Sequence, residues 1–354
     1  MVKVLIVEDS VVISMLLRST LEQGGMEVVG EARDGHQALR MVSQLKPDVV
    51  AMDIHMPNLD GYQATRQLMT ANPLPIVLVT ATEDPLDAAV AMRALDAGAL
   101  AVVQKPRGPD HSNYQQDAAE FVRTVRNMAQ VKVITRLERP QRPVQVPGKA
   151  VVSQLVQQQP KIVALGASTG GPMALRELLS GLHGEFPWPV VAVQHISHGF
   201  IASFCSWLNE YSAIPVHVAK QHEIAKAGHL YLAPDDYHLG VRLDSSGHCY
   251  LQLAASEPWQ GQRPSVGYLF NSVAQSHGGH SMAVLLSGMG ADGAVEMLAL
   301  KAQGALTIVQ DKDSAVVHGM PGAAVRLNAA NYTLCPQGIA AFLNVLALQY
   351  KSDG

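Results

Sequence analysis

The 354-residue sequence has few cysteines, no long apolar run and little net charge, and each shortage excludes a class of protein. Its three cysteines, Cys205, Cys249 and Cys335, are too scattered for a disulfide framework or a paired-CxxC zinc site. No run reaches the roughly 18 uninterrupted apolar residues of a membrane helix, and Glu8 and Asp9 interrupt the apolar N-terminus too early for a signal peptide. A net charge of −4 provides no global basic field for nucleic acid. These absences predict a cytoplasmic protein.

Length and charge distribution predict two domains joined by a tether. At about 100 to 200 residues per domain, the chain has room for two or three. Residues 1–126 carry a net charge of −5, residues 127–160 carry +4 and residues 161–354 carry −3. The middle stretch also contains four prolines and seven glutamines, which disfavour packing. We therefore predict domains at 1–127 and 161–350. Residues 128–160 are predicted to be a flexible linker that the prolines make semi-rigid.

The first domain alternates short β-rich runs with amphipathic stretches. Five strands alternating with five helices are typical of a doubly wound parallel sheet, so an α/β, flavodoxin-like fold is predicted. The predicted strands are 2–7, 27–32, 48–53, 75–80 and 100–104, and the predicted helices are 10–23, 36–45, 61–71, 86–97 and 114–129.

The second domain repeats this pattern and adds a hairpin. Apolar strands alternate with helices, which predicts a second doubly wound, Rossmann-like parallel sheet. Two further runs, joined by Ser245-Ser246-Gly247, indicate a β-hairpin. The predicted sheet strands are 161–167, 189–195, 281–287 and 305–311, and the hairpin strands are 239–244 and 248–253.

Acidic residues follow two strands of the first predicted sheet. Glu8 and Asp9 come after the first strand and Asp53 closes the third, while Thr80 closes the fourth and Lys105 follows the fifth. The carboxyl ends of parallel strands share one edge, where ligands bind. Three carboxylates there repel one another unless a hard cation such as Mg²⁺ neutralises them. Any one of these residues alone is better explained as a solvated loop cap, but five such residues at four strand ends predict a site.

This pattern resembles the receiver domain of bacterial response regulators over about residues 1–127. The resemblance implies that Asp53 is the phosphoacceptor and that Glu8 and Asp9 hold Mg²⁺ together with it. It also implies that Thr80 and Lys105 sense the phosphoryl group. The resemblance rests on the full order Glu8-Asp9, Asp53, Thr80, Lys105-Pro106.

A glycine-rich turn, GASTGG at 166–171, opens the second domain between a strand and a helix. Its G-x-S-x-G spacing would lift the Ser168 hydroxyl above the sheet, although such a turn is as often a plain cap or an anion-binding loop. His195 ends the next strand at the same edge and is a candidate general base, with His198 as its nearest rival. Asp292 follows the strand 281–287 and would orient the imidazole. The order Ser, His, Asp differs from that of α/β-hydrolases.

Two other interpretations of this domain remain open at this stage. The loop 288–293 also satisfies G-x-G-x-x-G, and Asp311 follows 18 residues later, as in a dinucleotide-binding site. A Rossmann domain usually opens with that fingerprint, however, and here the serine turn stands first. The pairs His195/His198 and His277/His280 offer imidazoles to a metal, but no HExxH motif or spacing supplies a third ligand.

The motif order GASTGG, QHI, APDDYHL, RPSV, LLSGMGADG, VVHGMPGAA behind a receiver resembles the CheB family of chemotaxis protein-glutamate methylesterases. The likeness covers nearly the whole chain outside the linker. It implies that Ser168 is the nucleophile, His195 the base and Asp292 its orienting partner. It also implies an oxyanion hole formed by the backbone amides of Thr169 and Met289.

The same resemblance implies a function. A serine esterase would release methanol from glutamate methyl esters of chemoreceptors, the methyl-accepting chemotaxis proteins, with no cofactor for that chemistry. Family members also deamidate receptor glutamines. The unphosphorylated receiver would pack over the catalytic edge, and phosphorylation of Asp53 by a CheA-type histidine kinase would loosen it. A monomer that neither binds nucleic acid nor inserts into a membrane is expected.

Two other classes of function compete with the esterase. A DNA-binding response regulator would explain the receiver and the basic linker, but the second domain is net negative and contains no recognisable recognition helix. A catalytically silent module that holds receptors in the same cleft is not separated from the esterase by motifs alone. Three positions depart from the family patterns: Glu8 replaces the usual Asp, Val102 an aromatic residue and Gly267 the Asp that follows RPSV.

Overall fold

The computed structural model describes residues 1–81, 92–93, 95–131, 133 and 159–352. The chain forms two compact units, Met1–Gln141 and Arg142–Gly354. Most of the predicted linker 128–160 lies outside the described residues, as does most of the predicted helix 86–97. Each unit is an α/β structure, as the sequence predicts.

The first unit is a five-stranded parallel sheet with the strand order β2-β1-β3-β4-β5. Three of its described helices begin at a side-chain cap: the side chains of Ser10, Asp34 and Asp60 each accept a hydrogen bond from the amide three residues ahead. The strands are Lys3–Val7 (β1), Glu27–Ala32 (β2), Val49–Asp53 (β3), Ile76–Thr80 (β4) and Ala101–Gln104 (β5), and the described helices are Val11–Gln23 (α1), Gly35–Leu45 (α2), Gly61–Ala71 (α3) and Tyr114–Met128 (α4).

The second unit is built on a seven-stranded parallel sheet and a separate antiparallel hairpin. Its strands are Ile162–Ala167 (β6), Val190–Gln194 (β7), Val216–Val218 (β8), Leu230–Leu232 (β9), His238–Leu243 (β10), Cys249–Ala254 (β11), Ser281–Leu285 (β12), Leu306–Gln310 (β13) and Tyr332–Leu334 (β14). Its α-helices are Gly171–Ser180 (α5), Ile201–Tyr211 (α6), Val266–Ser276 (α7), Ala294–Ala302 (α8), Met320–Arg326 (α9) and Pro336–Ser352 (α10).

The strand order of the large sheet, β14-β13-β12-β6-β7-β9-β8, creates a topological switch point. After β6 the chain builds outward through β7 on one side and then returns to place β12 on the other side of β6. Connections from β6 and β12 therefore diverge, which opens a crevice at the carboxyl ends of the central strands. Because β6, β7 and β12 are buried along their full lengths, the crevice stands on a rigid, apolar base.

The predicted hairpin is confirmed as β10 and β11, whereas three strands of the large sheet were not predicted. Strands β8, β9 and β14 contain three residues each, too few to show a strand period in the sequence. They lie toward the two ends of the sheet, so their omission did not alter the predicted central edge. In the part of the chain that the structure describes, no helix combines the length and hydropathy needed to cross a membrane.

Candidate active site and acidic pocket

The turn after β6 holds Ser168 at the carboxyl edge of the large sheet. The Ser168 amide donates to the Ser287 carbonyl at 3.0 Å, and the Ser168 carbonyl accepts from the Gly171 amide at 2.8 Å. Gly170 adopts φ +76°, and a Cβ there would lie 2.5 Å from the Val316 Cβ. This turn therefore needs glycine both for its backbone angle and for its close approach to the neighbouring loop.

Strand register brings His195 beside Ser168. Ala167 pairs with Gln194 across β6 and β7, and the His195 amide donates to the Ala167 carbonyl at 2.9 Å. The His195 Nε2 atom lies 3.0 Å from Asp292 Oδ2, so Nδ1 is the ring nitrogen left for the serine. No hydrogen bond joins the Ser168 hydroxyl to the imidazole among the described residues, and this contact would have to form with bound substrate.

Asp292 is buried, with 7% of its surface exposed, and its carboxylate is saturated with donors. Oδ1 accepts from Ser265 Oγ at 2.9 Å and the Gly267 amide at 2.8 Å, while Oδ2 accepts from the Val266 amide at 2.8 Å. Val266 and Gly267 are the first two residues of α7, so the carboxylate lies at the positive end of a helix. The start of α7 and its cap Ser265 thus hold the Asp292 carboxylate in place beside His195.

These contacts determine the charge of Asp292. Burial by itself would raise the pKa of this carboxyl group, but the hydrogen bond and charge of His195 and the amides of Gly267 and Val266 bring its pKa below the ordinary value. The group therefore stays ionised at neutral pH. An ionised Asp292 favours the tautomer of His195 that carries its proton on Nε2, leaving the Nδ1 lone pair to accept a proton.

The predicted oxyanion amides lie on two loops that meet at Ser287. Ser287 is fully buried, and its Oγ donates to the Thr169 carbonyl at 2.7 Å. On the other loop, Gly288 approaches so closely that a Cβ there would lie 2.8 Å from the Ser168 Cβ. Within the described residues, the amides of Thr169 and Met289 donate to no protein acceptor. Both are therefore available to a developing negative charge.

The competing assignments find less support in the geometry. His198 lies 3.0 Å from Asp236 at an exposed position, paired with a different carboxylate. Asp311 accepts from the Ser314 amide within its own turn. Across the described ranges, the three carboxylates of the first unit are the one group of three or more candidate metal ligands that come within 4.8 Å of one another, so neither histidine pair gathers a metal site there.

The close approach of Gly267 to Asp292 and Glu296 was not predicted. A Cβ at Gly267 would lie 3.0 Å from Asp292 Oδ1 and 3.0 Å from Glu296 Oε2. Glu296 is itself held by Trp259 Nε1 and Gln260 Nε2, both 3.2 Å from Oε1. The start of α7 was visible in RPSV, where a serine precedes an apolar helix. The sequence did not show that the first turn of this helix contacts Asp292.

The first unit collects the predicted acidic residues at the carboxyl edge of its own sheet. Ligand oxygens of Glu8, Asp9 and Asp53 all lie within 4.8 Å of one another. Lys105 Nζ lies 2.7 Å from Glu8 Oε2 and 2.9 Å from Asp53 Oδ2, and the Ile54 amide donates to Asp53 Oδ1 at 2.8 Å. Thr80 is buried at the end of β4, and its carbonyl accepts from the Lys105 amide at 2.7 Å.

Electrostatics in this pocket favour an added cation. Burial raises the pKa of Asp53 in spite of the nearby Lys105, and burial likewise raises the pKa of Glu8. Burial alone would lower the pKa of Lys105, but its contacts with Glu8 and Asp53 outweigh this and raise it. The lysine therefore stays charged without fully compensating the acids. Hard oxygen ligands with uncompensated charge could hold a divalent cation such as Mg²⁺.

The first sheet carries an acidic pocket with a lysine, and the second carries serine, imidazole and carboxylate groups at one edge. Together these two sites define a response regulator with a hydrolase output. A family model described as CheB methylesterase matches residues 163–343, and one described as response regulator receiver domain matches residues 4–112. The chain belongs to the CheB methylesterase family.

Relatives extend over the whole chain. It is 49% identical to the protein-glutamate methylesterase/protein-glutamine glutaminase 3 of Hahella chejuensis, over 98% of this chain and 99% of that protein. It is 46% identical to the corresponding protein 4 of Geobacter metallireducens, over 99% of this chain and 100% of that protein. The crystal structure of the Thermotoga maritima CheB methylesterase catalytic domain matches with a TM-score of 0.52 and 35% identity, covering 53% of this chain and 100% of that domain.

Proposed function

We propose that this protein hydrolyses glutamate methyl esters of chemoreceptors to methanol and glutamate, in the cytoplasm, under the control of phosphorylation at Asp53. The observation that carries the proposal is that Ser168, His195 and Asp292 lie together at the switch point of the large sheet, with His195 Nε2 3.0 Å from Asp292 Oδ2. The names of the full-length relatives supply the substrate class.

In the proposed reaction, Ser168 Oγ attacks the ester carbonyl while His195 Nδ1 takes the hydroxyl proton. The carbonyl oxygen becomes an oxyanion that the amides of Thr169 and Met289 stabilise. Collapse of this intermediate breaks the bond to the methoxy group, which leaves with the proton from His195 as methanol. Water then attacks the acyl-enzyme and loses a proton to His195, which returns it to Ser168 Oγ as the acyl–oxygen bond breaks and the glutamyl side chain is released. Asp292 stabilises the imidazolium at both stages.

The same acyl chemistry accounts for the second activity in the relatives' names. A glutamine side chain offers an amide carbonyl at the position of the ester carbonyl, and the leaving group is then ammonia, which needs the proton that His195 carries. We propose that this chain also deamidates receptor glutamines. Release of ammonia from receptors that carry glutamine, measured in the assay used for methanol, tests this activity separately.

The first unit is proposed to switch the esterase through Asp53. Mg²⁺ bound by Glu8, Asp9 and Asp53 would neutralise the charge that builds up as a histidine kinase of the CheA type donates its phosphoryl group. Phosphorylation adds nearly two negative charges beside Lys105, whose ammonium can contact the new oxygens. Thr80, at the end of the neighbouring strand, is proposed to respond to the same group. Residues 128–160 are proposed to tether the two units.

The proposal is tested by methanol release from a panel of methylated receptors, with and without a small phosphodonor and Mg²⁺. We expect release in the presence of the phosphodonor to exceed basal release, because phosphorylation of Asp53 drives the active state. Asp53→Asn should keep basal release and lose the stimulation, and Asp48→Asn is a matched control at an exposed carboxylate of the same unit. Absence of methanol from every receptor contradicts the esterase, and stimulation that persists in Asp53→Asn contradicts the switch.

Gly267 offers a prediction specific to this chain. Gly267→Asp would add a carboxylate beside Asp292 and Glu296, raise the pKa of Asp292 and weaken its hold on the imidazolium. We expect kcat for methanol release to fall about tenfold, equivalent to about 1.4 kcal/mol in the barrier. Adding Glu296→Gln should recover most of the loss. Gly267→Ala controls for size, and an equal loss in Gly267→Ala would show that crowding rather than charge is responsible.

A further inference from the structure

Gln194 is the last residue of β7 and is 2% exposed. Its Nε2 lies 2.8 Å from the carbonyl oxygen of Ser168 and 2.8 Å from the carbonyl oxygen of His195. A side-chain amide nitrogen carries two hydrogens, so one group can donate to both carbonyls at once. Gln194 thereby ties the main chain of the proposed nucleophile to that of the proposed base.

The contact with Ser168 also determines where another group points. The carbonyl of Ser168 and the N–H of Thr169 belong to the same planar trans peptide group, in which the two bonds point in opposite directions. Gln194 Nε2 and the Gly171 amide both hold this carbonyl at 2.8 Å. Fixing the carbonyl therefore fixes the direction of the Thr169 N–H, which donates to no acceptor among the described residues.

We propose that Gln194 is a positioning residue that keeps the Thr169 amide directed at the oxyanion. The inference rests on the proposed function, because it concerns the intermediate of the same ester hydrolysis. Without the donor on Gln194, one of the two bonds that hold the Ser168 carbonyl is lost, and rotation of the peptide group would turn the Thr169 N–H away from the reacting carbonyl. The transition state would lose stabilisation, while the bound substrate would lose little.

Two neighbouring features are consistent with this role. Ser287 Oγ donates to the Thr169 carbonyl at 2.7 Å and so holds the next peptide group from the other side. Gly171 leaves room for the glutamine, since a Cβ at that position would lie 2.2 Å from Gln194 Oε1. Gly171 opens α5 with an ordinary helical backbone, so the requirement for glycine there is one of space rather than of torsion angle.

The test is Gln194→Met, which has similar length but no donor, in the full-length protein with methylated receptor as substrate. We expect kcat per active site to fall about 10- to 100-fold, less than the full loss of an oxyanion donor because the Gly171 amide still holds the carbonyl. KM should change less than about threefold. Affinity for a boronic acid, which adds to Ser168 as a tetrahedral anion, should fall in proportion to kcat.

Thr307→Val is the matched control. It removes two hydrogen bonds between the buried Thr307 hydroxyl and Asn331, of 2.8 and 3.1 Å, in the same sheet but near the amino end of β13. A purely structural role for Gln194 would lower the melting temperature as Thr307→Val does and leave kcat and boronate affinity unchanged. That result overturns the inference. If the wild-type protein shows no methanol release that depends on Ser168, the proposed function itself fails, and the two failures are thus distinguishable.

Gln194→Glu keeps the test open if the methionine variant does not fold. Its carboxyl group has one O–H donor when protonated and none when ionised. Relative to the wild type, its kcat should therefore fall as pH rises through the titration of the new carboxyl group. Identical pH profiles in the two proteins would overturn the inference.

Discussion

Ser168→Ala is expected to reduce methanol release about 10⁵- to 10⁶-fold, as removal of the nucleophile does in serine hydrolases that work through an acyl-enzyme. Alanine fits the turn after β6 because the bonds that shape this turn come from the main chain of Ser168, not from its hydroxyl. The variant should therefore fold and melt like the wild type. Its residual rate would come from the oxyanion amides and from substrate positioning alone.

The measurement is methanol release from methylated receptor, together with acyl-enzyme trapping in rapidly quenched samples. Ser206→Ala, which removes the hydroxyl of an exposed serine on α6, is the matched control and should keep the wild-type rate. If Ser168→Ala releases methanol within tenfold of the wild type, the serine mechanism is wrong. In that case a group other than Ser168 must catalyse the hydrolysis.

Asp292→Asn is expected to lower kcat by about 10⁴, the cost of losing the carboxylate that orients and stabilises the imidazole in comparable triads. In this protein a second effect should accompany the first. The carboxylate accepts from Ser265, Val266 and Gly267 and lies 3.0 Å from His195 Nε2, and the amide nitrogen of asparagine would face at least one of these donors. A buried donor without an acceptor costs about 1 to 3 kcal/mol in the free energy of unfolding.

Thermal unfolding and kinetics separate the loss of stability in Asp292→Asn from the loss of kcat. Thermal unfolding should show a lower melting temperature for Asp292→Asn, whereas Ser265→Ala, which removes one donor and keeps the carboxylate, should destabilise less and retain most of the rate. Because the folded pKa of Asp292 lies below its unfolded value, its contribution to stability is present above the unfolded pKa and is lost as pH falls through the folded pKa. That part of the acid dependence should vanish in the variant. A kcat within tenfold of the wild type would contradict the assigned role.

Much of this architecture was predictable because its central strands are long and apolar. Each of β1, β3, β4, β6, β7 and β12 is a buried run of four to six residues, and the residues that follow such runs share one sheet edge. That rule alone predicted the acidic pocket and the neighbourhood of Ser168 and His195. The family match is consistent with the function implied by the motif order.

What the sequence could not provide was the direction of individual side chains. GMGADG fits a dinucleotide fingerprint as well as a loop that turns an aspartate inward, and only the contacts of Asp292 with His195 and with the first two amides of α7 distinguish them. Gln194 was visible in the motif QHI, but its two carbonyl contacts depend on the register of β6 and β7. Pairings between distant segments have no local signature in the sequence.

The position of Asp292 at the start of α7 affects how related sequences should be interpreted. A descendant that had abandoned hydrolysis could exchange Ser168 and His195 freely, but loss of the acid at position 292 would still leave the Val266 and Gly267 amides of α7 without their acceptor. Retention of the aspartate alone is thus a weaker sign of activity than retention of the serine and the histidine together. Silent members of the family should be sought among chains that keep the acid and have lost its two companions.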